Sequence, residues 1–377
     1  MSAQHLEIGF VRRGFSSSGG AESYLQRLAR GLCARGHSAH LFSSDDWPGE
    51  AWPYGEITRV RSRSPLQFAD AIARLQPIAR CDVVLSLERI WSCDVYRAGD
   101  GLHRSWLTRR AAHTSPWRGL TEKLSAKHRA ILRLEEALFA ERGARQVITN
   151  SEMVKREIIA GYGYPVERIS VVPNGVPVGA FRATDEERDR SRAKLGLTKE
   201  TIAVLFAGSG WERKGLRFAI HAVEECRDER FRLLIAGKGV ARDYRSGSAR
   251  FLGVPDDLRD VYAAADIFLL PTLYDPFSNA CLEAMASGLP VITTRANGFA
   301  EIMQGKLHGS VVDSPDDIAA LRQELDYWSD PERRAAAKPV LLARAEEFDI
   351  SRNVERTLEV LYEAANAAST SGKIRKT

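Results

Sequence analysis

Two carboxylates and two cations in the second half of the chain have the types and spacing needed to bind a phosphorylated sugar. Asp275 and Glu283 are eight positions apart across a junction between a polar loop and a helix. A carboxylate accepts two hydroxyl hydrogens with favourable geometry, so each acid could orient one sugar hydroxyl. Arg213 and Lys214 are adjacent at a glycine-rich turn. An arginine fork and a lysine point charge suit a diphosphate, and both stabilise the negative charge that grows as it leaves.

A strand followed by a helix would position the acidic pair. The apolar run 266–270 leads through a polar loop into a helix that we expect to begin near Phe277 or Ser278. The free amides and positive dipole end of such a helix face the carboxyl edge of a sheet, where open α/β folds bind anions. We therefore expect Phe277, Ser278 and Asn279 to bind the phosphorylated sugar. Glu283, further into the helix, can reach the same crevice.

The sequence around the acidic pair resembles the signature of the retaining glycosyltransferases of family 4. That signature is an acid, seven residues, a glutamate and then Ala-Met-Ala-x-Gly-x-Pro-Val, and residues 283–291 are Glu-Ala-Met-Ala-Ser-Gly-Leu-Pro-Val. One departure is Asp275, which is one methylene shorter than the family's usual glutamate. The alternative is a helix-capping aspartate and a surface glutamate, which explains neither the Gly-Leu-Pro-Val continuation nor the cationic turn.

The resemblance implies a retaining hexosyltransferase that uses a nucleoside diphosphate sugar, UDP-glucose or a similar donor, and needs no metal or other cofactor. In this family an arginine and a lysine stabilise the leaving diphosphate, and Arg213 and Lys214 occupy the matching positions. With Asp275 they are the expected catalytic residues of this half. The alternative for Arg213 and Lys214 is an exposed basic turn without a ligand. The alternative for the glycines that follow strands is an ordinary turn. Three backbone positions complete the implied donor site: Gly208, Gly237 and Val254.

The first half of the chain contains a glycine-rich loop between its first strand and first helix. Gly19 and Gly20 permit a close approach of backbone to a ligand. The loop resembles the one that family 4 enzymes place beside donor and acceptor, so both glycines are expected in the donor site. Glu22 could contact the acceptor, or it could stabilise the dipole of the first helix.

A polar strand end in the same half supplies the candidate base. Asp100 follows Asp-Val-Tyr at 94–96, an arrangement that resembles the lipopolysaccharide-core glucosyltransferases. The resemblance implies that Asp100 is a catalytic carboxylate that accepts the acceptor's hydroxyl proton. A turn-capping aspartate is the alternative. His103, an expected acceptor-binding residue, is close enough in sequence to exchange roles with Asp100.

Residues 103–133 combine positive charge with aromatic side chains. They contain eight Lys or Arg against one acid, Glu122, with interleaved Trp and Leu. This composition suits an anionic membrane surface and would also attract a phosphorylated glycolipid acceptor. A solvated helical hairpin is the alternative. No nucleic-acid motif accompanies the charge, so we expect no nucleic-acid partner.

The length of the chain favours two domains, and its composition is sufficient for packed interiors. The chain has 377 residues, 44% of them hydrophobic, a net charge of +5 and no run of eighteen apolar residues. Its N-terminus lacks the pattern of a signal peptide. Its five cysteines show neither a Cys-x-x-Cys pair nor neighbouring histidines, so neither disulfides nor zinc are predicted. We expect a cytoplasmic protein, and peripheral association with the inner face of the cytoplasmic membrane stays open.

Alternating strand and helix patterns predict two doubly wound, Rossmann-like domains facing each other across a cleft, the architecture called GT-B in this family. We place an acceptor-binding domain at 1–178 and a donor-binding domain at 179–348. By resemblance, a helix at 349–368 returns to the first domain, and a Ser- and Lys-rich tail at 369–377 is predicted to be disordered.

The resemblance thus implies a hexosyltransferase that acts on a glycolipid acceptor, in lipopolysaccharide-core or other envelope glycan synthesis. Closure of the two domains would exclude water from the donor. A nicotinamide-dependent oxidoreductase should instead show Gly-x-Gly-x-x-Gly after the first strand, which is absent. A catalytically silent sugar-nucleotide-binding scaffold and a transferase for a soluble acceptor are the remaining alternatives.

Overall fold

The computed structural model describes residues 4–16, 20–113, 125–244 and 246–370, with side chains up to residue 367. The chain divides into two compact units. Unit 1 comprises Met1–Pro173 and Asn353–Thr377, and unit 2 comprises Asn174–Arg352. These divisions lie within a few residues of the boundaries expected near 178 and 349.

Unit 1 is built on a 7-stranded sheet in which every described pairing is parallel. The strand order is β3-β2-β1-β4-β5-β6-β7, so the direction of winding reverses between β1 and β4. Ligands of open α/β sheets bind outside the carboxyl ends of the strands at such a switch point. The strands are β1 (Glu7–Arg12), β2 (Ser38–Ser44), β3 (Ile57–Val60), β4 (Val83–Ser86), β5 (Cys93–Arg97), β6 (Ala144–Thr149) and β7 (Ile169–Val171).

The described helices of unit 1 flank this sheet, and the last helix of the chain packs among them. Tyr24 donates a hydrogen bond to Asn353 at 2.9 Å, and Val354 lies so close to Gly31 that a Cβ there would be 2.6 Å from a valine methyl. The helices are α1 (Gly20–Cys33), α2 (Pro65–Leu75), α3 (His103–Ala112), α4 (Ala126–Phe139), α5 (Glu152–Tyr162) and the returning helix (Ile350–Thr370).

Unit 2 repeats the same winding with a parallel 6-stranded sheet. Its order is β10-β9-β8-β11-β12-β13, so the switch point lies between β8 and β11. The central strand β8 is Ile-Ala-Val-Leu-Phe-Ala and every residue of it is buried, as expected of a parallel strand covered on both faces. The strands are β8 (Ile202–Ala207), β9 (Phe231–Ala236), β10 (Ala249–Gly253), β11 (Ile267–Leu270), β12 (Val291–Thr294) and β13 (Gly309–Val312).

The helices of unit 2 follow its strands in alternation. They are α6 (Asp185–Lys194), α7 (Trp211–Lys214), α8 (Leu216–Glu225), α9 (Leu258–Ala264), α10 (Asn279–Ala286), α11 (Gly305–His308), α12 (Ile318–Trp328) and α13 (Pro331–Glu346), and the returning helix is therefore α14. The two parallel, doubly wound sheets confirm the predicted fold class.

The last helix of the chain ends two residues later than expected. Helix α14 extends to Thr370, so the first two residues of the tail predicted from 369 are helical in their backbone, and the rest of that tail lies outside the described residues. Among the helices that the structure describes, none is both long and apolar enough to cross a membrane.

Candidate active site

Lys214, Arg213 and Asp275 meet at the switch point of unit 2. Lys214 Nζ lies 3.1 Å from Asp275 Oδ2, and Arg213 Nη1 lies 3.7 Å from the same oxygen. The cations follow β8 and the carboxylate follows β11, so strands adjacent in the sheet bring together residues more than sixty positions apart. Arg213 Nη1 also donates a hydrogen bond to the Tyr274 carbonyl at 3.0 Å. The three predicted catalytic residues of this half therefore form one cluster.

The cluster keeps the Asp275 carboxyl ionised. Burial alone would raise the pKa of Asp275, but the charges of Lys214 and Arg213 oppose it, assisted by hydrogen bonds from Lys214 and from the Phe277 amide. The net result is a pKa below the ordinary value for aspartate. Asp275 is 5% exposed, whereas the Arg213 side chain is 36% exposed. Arg213 is thus the member of the cluster that is most open to an anionic ligand.

Gly208 makes room for the lysine. The backbone of Gly208 has φ of +132°, and a Cβ there would be 2.7 Å from Lys214 Cε and 3.2 Å from Nζ. The lysine side chain therefore crosses directly over this residue. Gly237, the next predicted donor-site glycine, packs just as closely, because its Cβ would be 2.3 Å from the Gly208 carbonyl oxygen.

We expect Gly208→Ala to displace the Lys214 side chain from Asp275. An ångström-scale misplacement of a catalytic group can cost about 10²-fold in rate, so transfer activity should fall by that order. Alanine at a positive φ should also destabilise unit 2 by more than about 1 kcal/mol. Steady-state transfer rates and urea unfolding measure the two effects.

Gly210→Ala is the matched control for this prediction. Gly210 has φ of +75°, and a Cβ there would have no neighbour within 4 Å. It therefore tests backbone strain in the same turn without displacing the lysine. Equal activity losses in the two variants would show that the position of Lys214 is not what Gly208 protects.

The loop before α10 holds the other predicted donor-site residues. Ser278 is the N-cap of α10, and its hydroxyl accepts a hydrogen bond from the Cys281 amide at 3.3 Å. Phe277 is 3% exposed and packs edge-on against Phe299. Asn279 accepts a hydrogen bond from the Asn174 side chain at 2.8 Å. The helix thus begins one or two residues later than expected, and the Phe277 side chain belongs to the core.

The Glu283 carboxylate accepts a hydrogen bond from a buried tyrosine. Its Oε2 lies 3.1 Å from the hydroxyl oxygen of Tyr262, which is almost fully buried on α9. This tyrosine was missed by sequence reasoning, because nothing in its local pattern distinguishes it from an ordinary core residue. Val254, the last predicted donor-site residue, follows β10 and is 53% exposed.

In unit 1 a cluster of opposite charges lies at the corresponding switch point. Arg12, the last residue of β1, has a guanidinium 3.1 Å from Glu22, 3.9 Å from Glu88 and 3.7 Å from Asp100. Partial burial would lower the pKa of Arg12, but the charges of the three carboxylates raise it above the ordinary value for arginine. Glu22 is 7% exposed, and the Asp100 side chain is 59% exposed. The structure therefore brings together two predicted residues, Glu22 and Asp100, through an arginine that sequence analysis overlooked.

His103 is positioned by a buried glutamate. Glu135, fully buried on α4, accepts hydrogen bonds from the amides of His103 at 2.6 Å and Arg104 at 3.2 Å, and so caps α3. The His103 ring contacts His128, with Nε2 2.9 Å from Nδ1. Burial lowers the pKa of His103 to about 4, assisted by the positive charges of Arg89, His128 and Lys127. At neutral pH His103 is therefore an uncharged and weak base.

Parts of two predicted regions lie outside the described residues. Gly19 of the glycine-rich loop is not among the described residues, whereas Gly20 is the first residue of α1. Of the basic segment 103–133, residues 114–124 are likewise not described. Helix α3 has no buried residue and carries Arg109 and Arg110 in its last turn, so the described part of this segment presents positive charge.

Two family models match the chain. The model described as glycosyl transferases group 1 matches residues 201–328, and the model described as Glycosyltransferase Family 4 matches residues 18–179. Two parallel, doubly wound units are the domain architecture of GT-B proteins. The chain belongs to the glycosyltransferases of family 4.

Curated relatives of the chain are named as glycosyltransferases. The chain is 31% identical to D-inositol 3-phosphate glycosyltransferase of Corynebacterium kroppenstedtii, over 59% of this chain and 54% of that protein. It is 24% identical to lipopolysaccharide glucosyltransferase WaaG of Escherichia coli K12, over 79% and 82% of the two chains. The chain spans about half the length of the first curated relatives that it matches.

Two solved structures share the fold over nearly the whole chain. A crystal structure of WaaG, described as a glycosyltransferase involved in lipopolysaccharide biosynthesis, superposes with a TM-score of 0.81 at 21% identity and covers 94% of this chain and 99% of that one. Anabaena HepE in complex with UDP-glucose superposes with a TM-score of 0.70 at 18% identity and covers 97% and 100%.

Proposed function

We propose that this protein is a retaining hexosyltransferase that moves a hexose from a UDP-sugar, UDP-glucose first, to a hydroxyl of a glycolipid acceptor in lipopolysaccharide-core or other envelope glycan synthesis. The observation that carries the proposal is the Lys214–Arg213–Asp275 cluster at the switch point of unit 2. The family assignment and the UDP-glucose complex of HepE support the donor class.

The cluster can promote departure of the nucleoside diphosphate. As the bond between the sugar and the diphosphate breaks, negative charge grows on the phosphate oxygens, and two cations already held in place stabilise it without further reorganisation. Arg213 can bind two oxygens at once, and Lys214 contributes a point charge. Asp275 positions both cations and, with Glu283, orients hydroxyls of the donor sugar. These protein cations supply the positive charge, so we propose that the transfer needs no metal ion.

Unit 1 contributes the acceptor side in this proposal. Asp100 is more exposed than Glu22 and is oriented by Arg12, so it can accept the hydroxyl proton of the acceptor. His103 is poorly suited to that role, because its lowered pKa makes it a weak base. The cations of α3 would attract a phosphorylated glycolipid or an anionic membrane surface. That attraction favours a peripheral location.

Asp100→Asn tests the acceptor side. We expect kcat to fall by about 10²-fold, the range of general-base catalysis, with little change in the KM for the donor. His103→Gln should lower kcat by less than Asp100→Asn does. A larger loss in the histidine variant would reverse the assignment of the two residues.

A thermal-shift panel tests the donor site. The ligands are UDP-glucose, UDP-N-acetylglucosamine, GDP-mannose, UDP, GDP and NADH, because a ligand that binds only the folded state raises the melting temperature. We expect a shift with a UDP-sugar that is lost in Arg213→Ala and Glu283→Ala. Lys194→Ala removes an exposed cation of the same unit that pairs with Asp260, and it should keep the shift.

Transfer assays complete this test. Radiolabelled donor is offered with truncated lipopolysaccharide core, with inositol phosphate and without acceptor. Transfer to the glycolipid supports the proposal, and transfer to inositol phosphate alone would indicate a soluble acceptor. Donor binding without transfer or hydrolysis would indicate a sugar-nucleotide-binding scaffold.

A further inference from the structure

Three side chains of unit 1 converge on one point at the amino ends of its central strands. Glu7, His40 and Cys81 each offer one ligand atom, and these atoms all lie within 4.8 Å of one another. Glu7 begins β1, His40 lies in β2, and Cys81 immediately precedes β4, so three neighbouring strands contribute one group each. The residues are widely separated in sequence, which explains why no metal-binding spacing is visible there.

The backbone around this cluster is well ordered by hydrogen bonds. The Glu7 amide donates to the Asp82 carboxylate at 2.8 Å, and the Asp82 amide donates to the Glu7 carbonyl at 2.8 Å. Gly9 leaves space for the sulfur, because a Cβ at that position would be 3.0 Å from Cys81 Sγ. His40 and Cys81 are 7% and 5% exposed, whereas Glu7 is exposed. The imidazole and the thiol are therefore buried, and the cluster is accessible to solvent on the glutamate side.

One ring nitrogen of His40 already has a hydrogen-bond partner. Its Nε2 lies 2.8 Å from the Thr58 hydroxyl oxygen, an outer hydrogen bond of the kind that orients such a ring and fixes its tautomer. With Nε2 engaged, Nδ1 is the nitrogen left for an ion. The Glu56 carboxylate lies 3.9 Å from Nδ1 and is 87% exposed, so it is free to complete the coordination. The charges that act on His40 are those of two acids, Glu7 and Glu56, and one cation, Arg80.

We propose that Glu7, His40 and Cys81 bind a divalent transition-metal ion of the zinc type, with Glu56 or water as the fourth ligand. A thiolate, an imidazole and a carboxylate form the mixed ligand set that Zn²⁺ accepts in tetrahedral geometry. Calcium and magnesium are poor candidates, because they prefer oxygen ligands.

The position of this site gives it a structural role. It lies at the amino ends of β1 and β4, whereas Arg12 and the acceptor-side carboxylates lie at the carboxyl ends of the same strands. An ion here would join three strand ends of the sheet on which the acceptor-side cluster is built. It would stabilise unit 1 by mass action without taking part in sugar transfer.

Cobalt binding tests the proposal on the full-length, chelator-treated protein. Co²⁺ is the probe because a cobalt–thiolate bond produces a charge-transfer absorption that neither imidazole nor carboxylate ligands give. We expect one Co²⁺ per chain with this absorption and displacement by one Zn²⁺. Cys81→Ser should abolish the absorption. Cys33→Ser, which changes a half-exposed cysteine of α1, should leave it intact.

A second variant keeps the test decisive if the buried cysteine variant folds poorly. Glu7→Gln alters an exposed side chain and should weaken Co²⁺ binding at least tenfold while leaving the melting temperature of the metal-free protein almost unchanged. Zn²⁺ should raise the melting temperature of the wild type but not of Glu7→Gln at the same concentration. No thiolate absorption in the wild type, or absorption that persists in Cys81→Ser, would overturn the proposal.

Discussion

Lys214→Met is expected to lower kcat for glycosyl transfer by about 10²–10³-fold, the loss seen when one preorganised donor to a developing oxyanion is removed. The lysine ammonium lies 3.1 Å from Asp275 in a buried pair, so its position is set before the donor binds. Its removal also leaves the Asp275 carboxylate buried with only the more distant Arg213. We therefore expect the free energy of unfolding to fall by about 3 kcal/mol, as when a buried ion pair loses one member.

A double variant separates the catalytic effect from the structural one. Lys214→Met combined with Asp275→Asn removes the uncompensated charge, so most of the lost stability should return, measured by urea unfolding. The activity should stay low, because the cation that stabilises the leaving diphosphate is still missing. Recovery of transfer in the double variant would show that Lys214 acts only by neutralising Asp275.

The donor-side cluster could be anticipated from sequence because its residues lie in short, contiguous motifs. Arg213 and Lys214 occupy one turn, and Asp275 and Glu283 bracket a single loop and helix start. Alternating apolar runs then predict that these turns follow parallel strands. The carboxyl ends of parallel strands meet at one edge of the sheet, so the two motifs come together in any doubly wound arrangement with this strand order.

The acceptor-side cluster could not be anticipated in the same way. Arg12 ends β1 and Glu88 lies two residues beyond β4, and these two strands are adjacent only because the winding reverses between them. No local pattern marks Arg12 as an ion-pair partner of Asp100, or Glu88 as a further carboxylate beside that arginine. Sequence analysis proposed Glu22 and Asp100 for the acceptor side, and the arginine that lies between them depends on tertiary structure.

Local sequence patterns also do not predict the hydrogen-bond partners of buried polar residues. Glu135 lies on the apolar face of α4 and caps a helix more than twenty residues earlier in the chain. Tyr262 lies on α9 and contacts Glu283, which lies on α10. Helical periodicity does not indicate a partner for either side chain. Only the packed structure shows which polar atoms they satisfy.

Asp275→Asn is expected to reduce kcat/KM for the donor by about 10²-fold, because a misplaced catalytic group costs that order of rate. Asparagine preserves the size of the side chain but removes the negative charge that holds Lys214 and Arg213 in place. The two cations then repel each other, and a buried ammonium loses its partner. Initial rates over a range of UDP-glucose concentrations measure the effect.

The pH dependence of stability provides an independent signature of the same carboxylate. The pKa of Asp275 in the folded protein is lower than its ordinary value, so its contribution to stability is fully present above the unfolded pKa of about 3.9 and is lost as the pH falls through the folded pKa. Below about pH 4 the free energy of unfolding should therefore decrease more steeply in the wild type than in Asp275→Asn. Asp260→Asn is the control: it breaks an exposed pair with Lys194 and should change stability by less than about 1 kcal/mol at neutral pH.

The contradicting outcome is a parallel loss of stability in Asp275→Asn and the wild type on acidification. The Asp275 carboxylate would then not be held ionised by its two cations, and its role in positioning them for the leaving diphosphate would have to be abandoned.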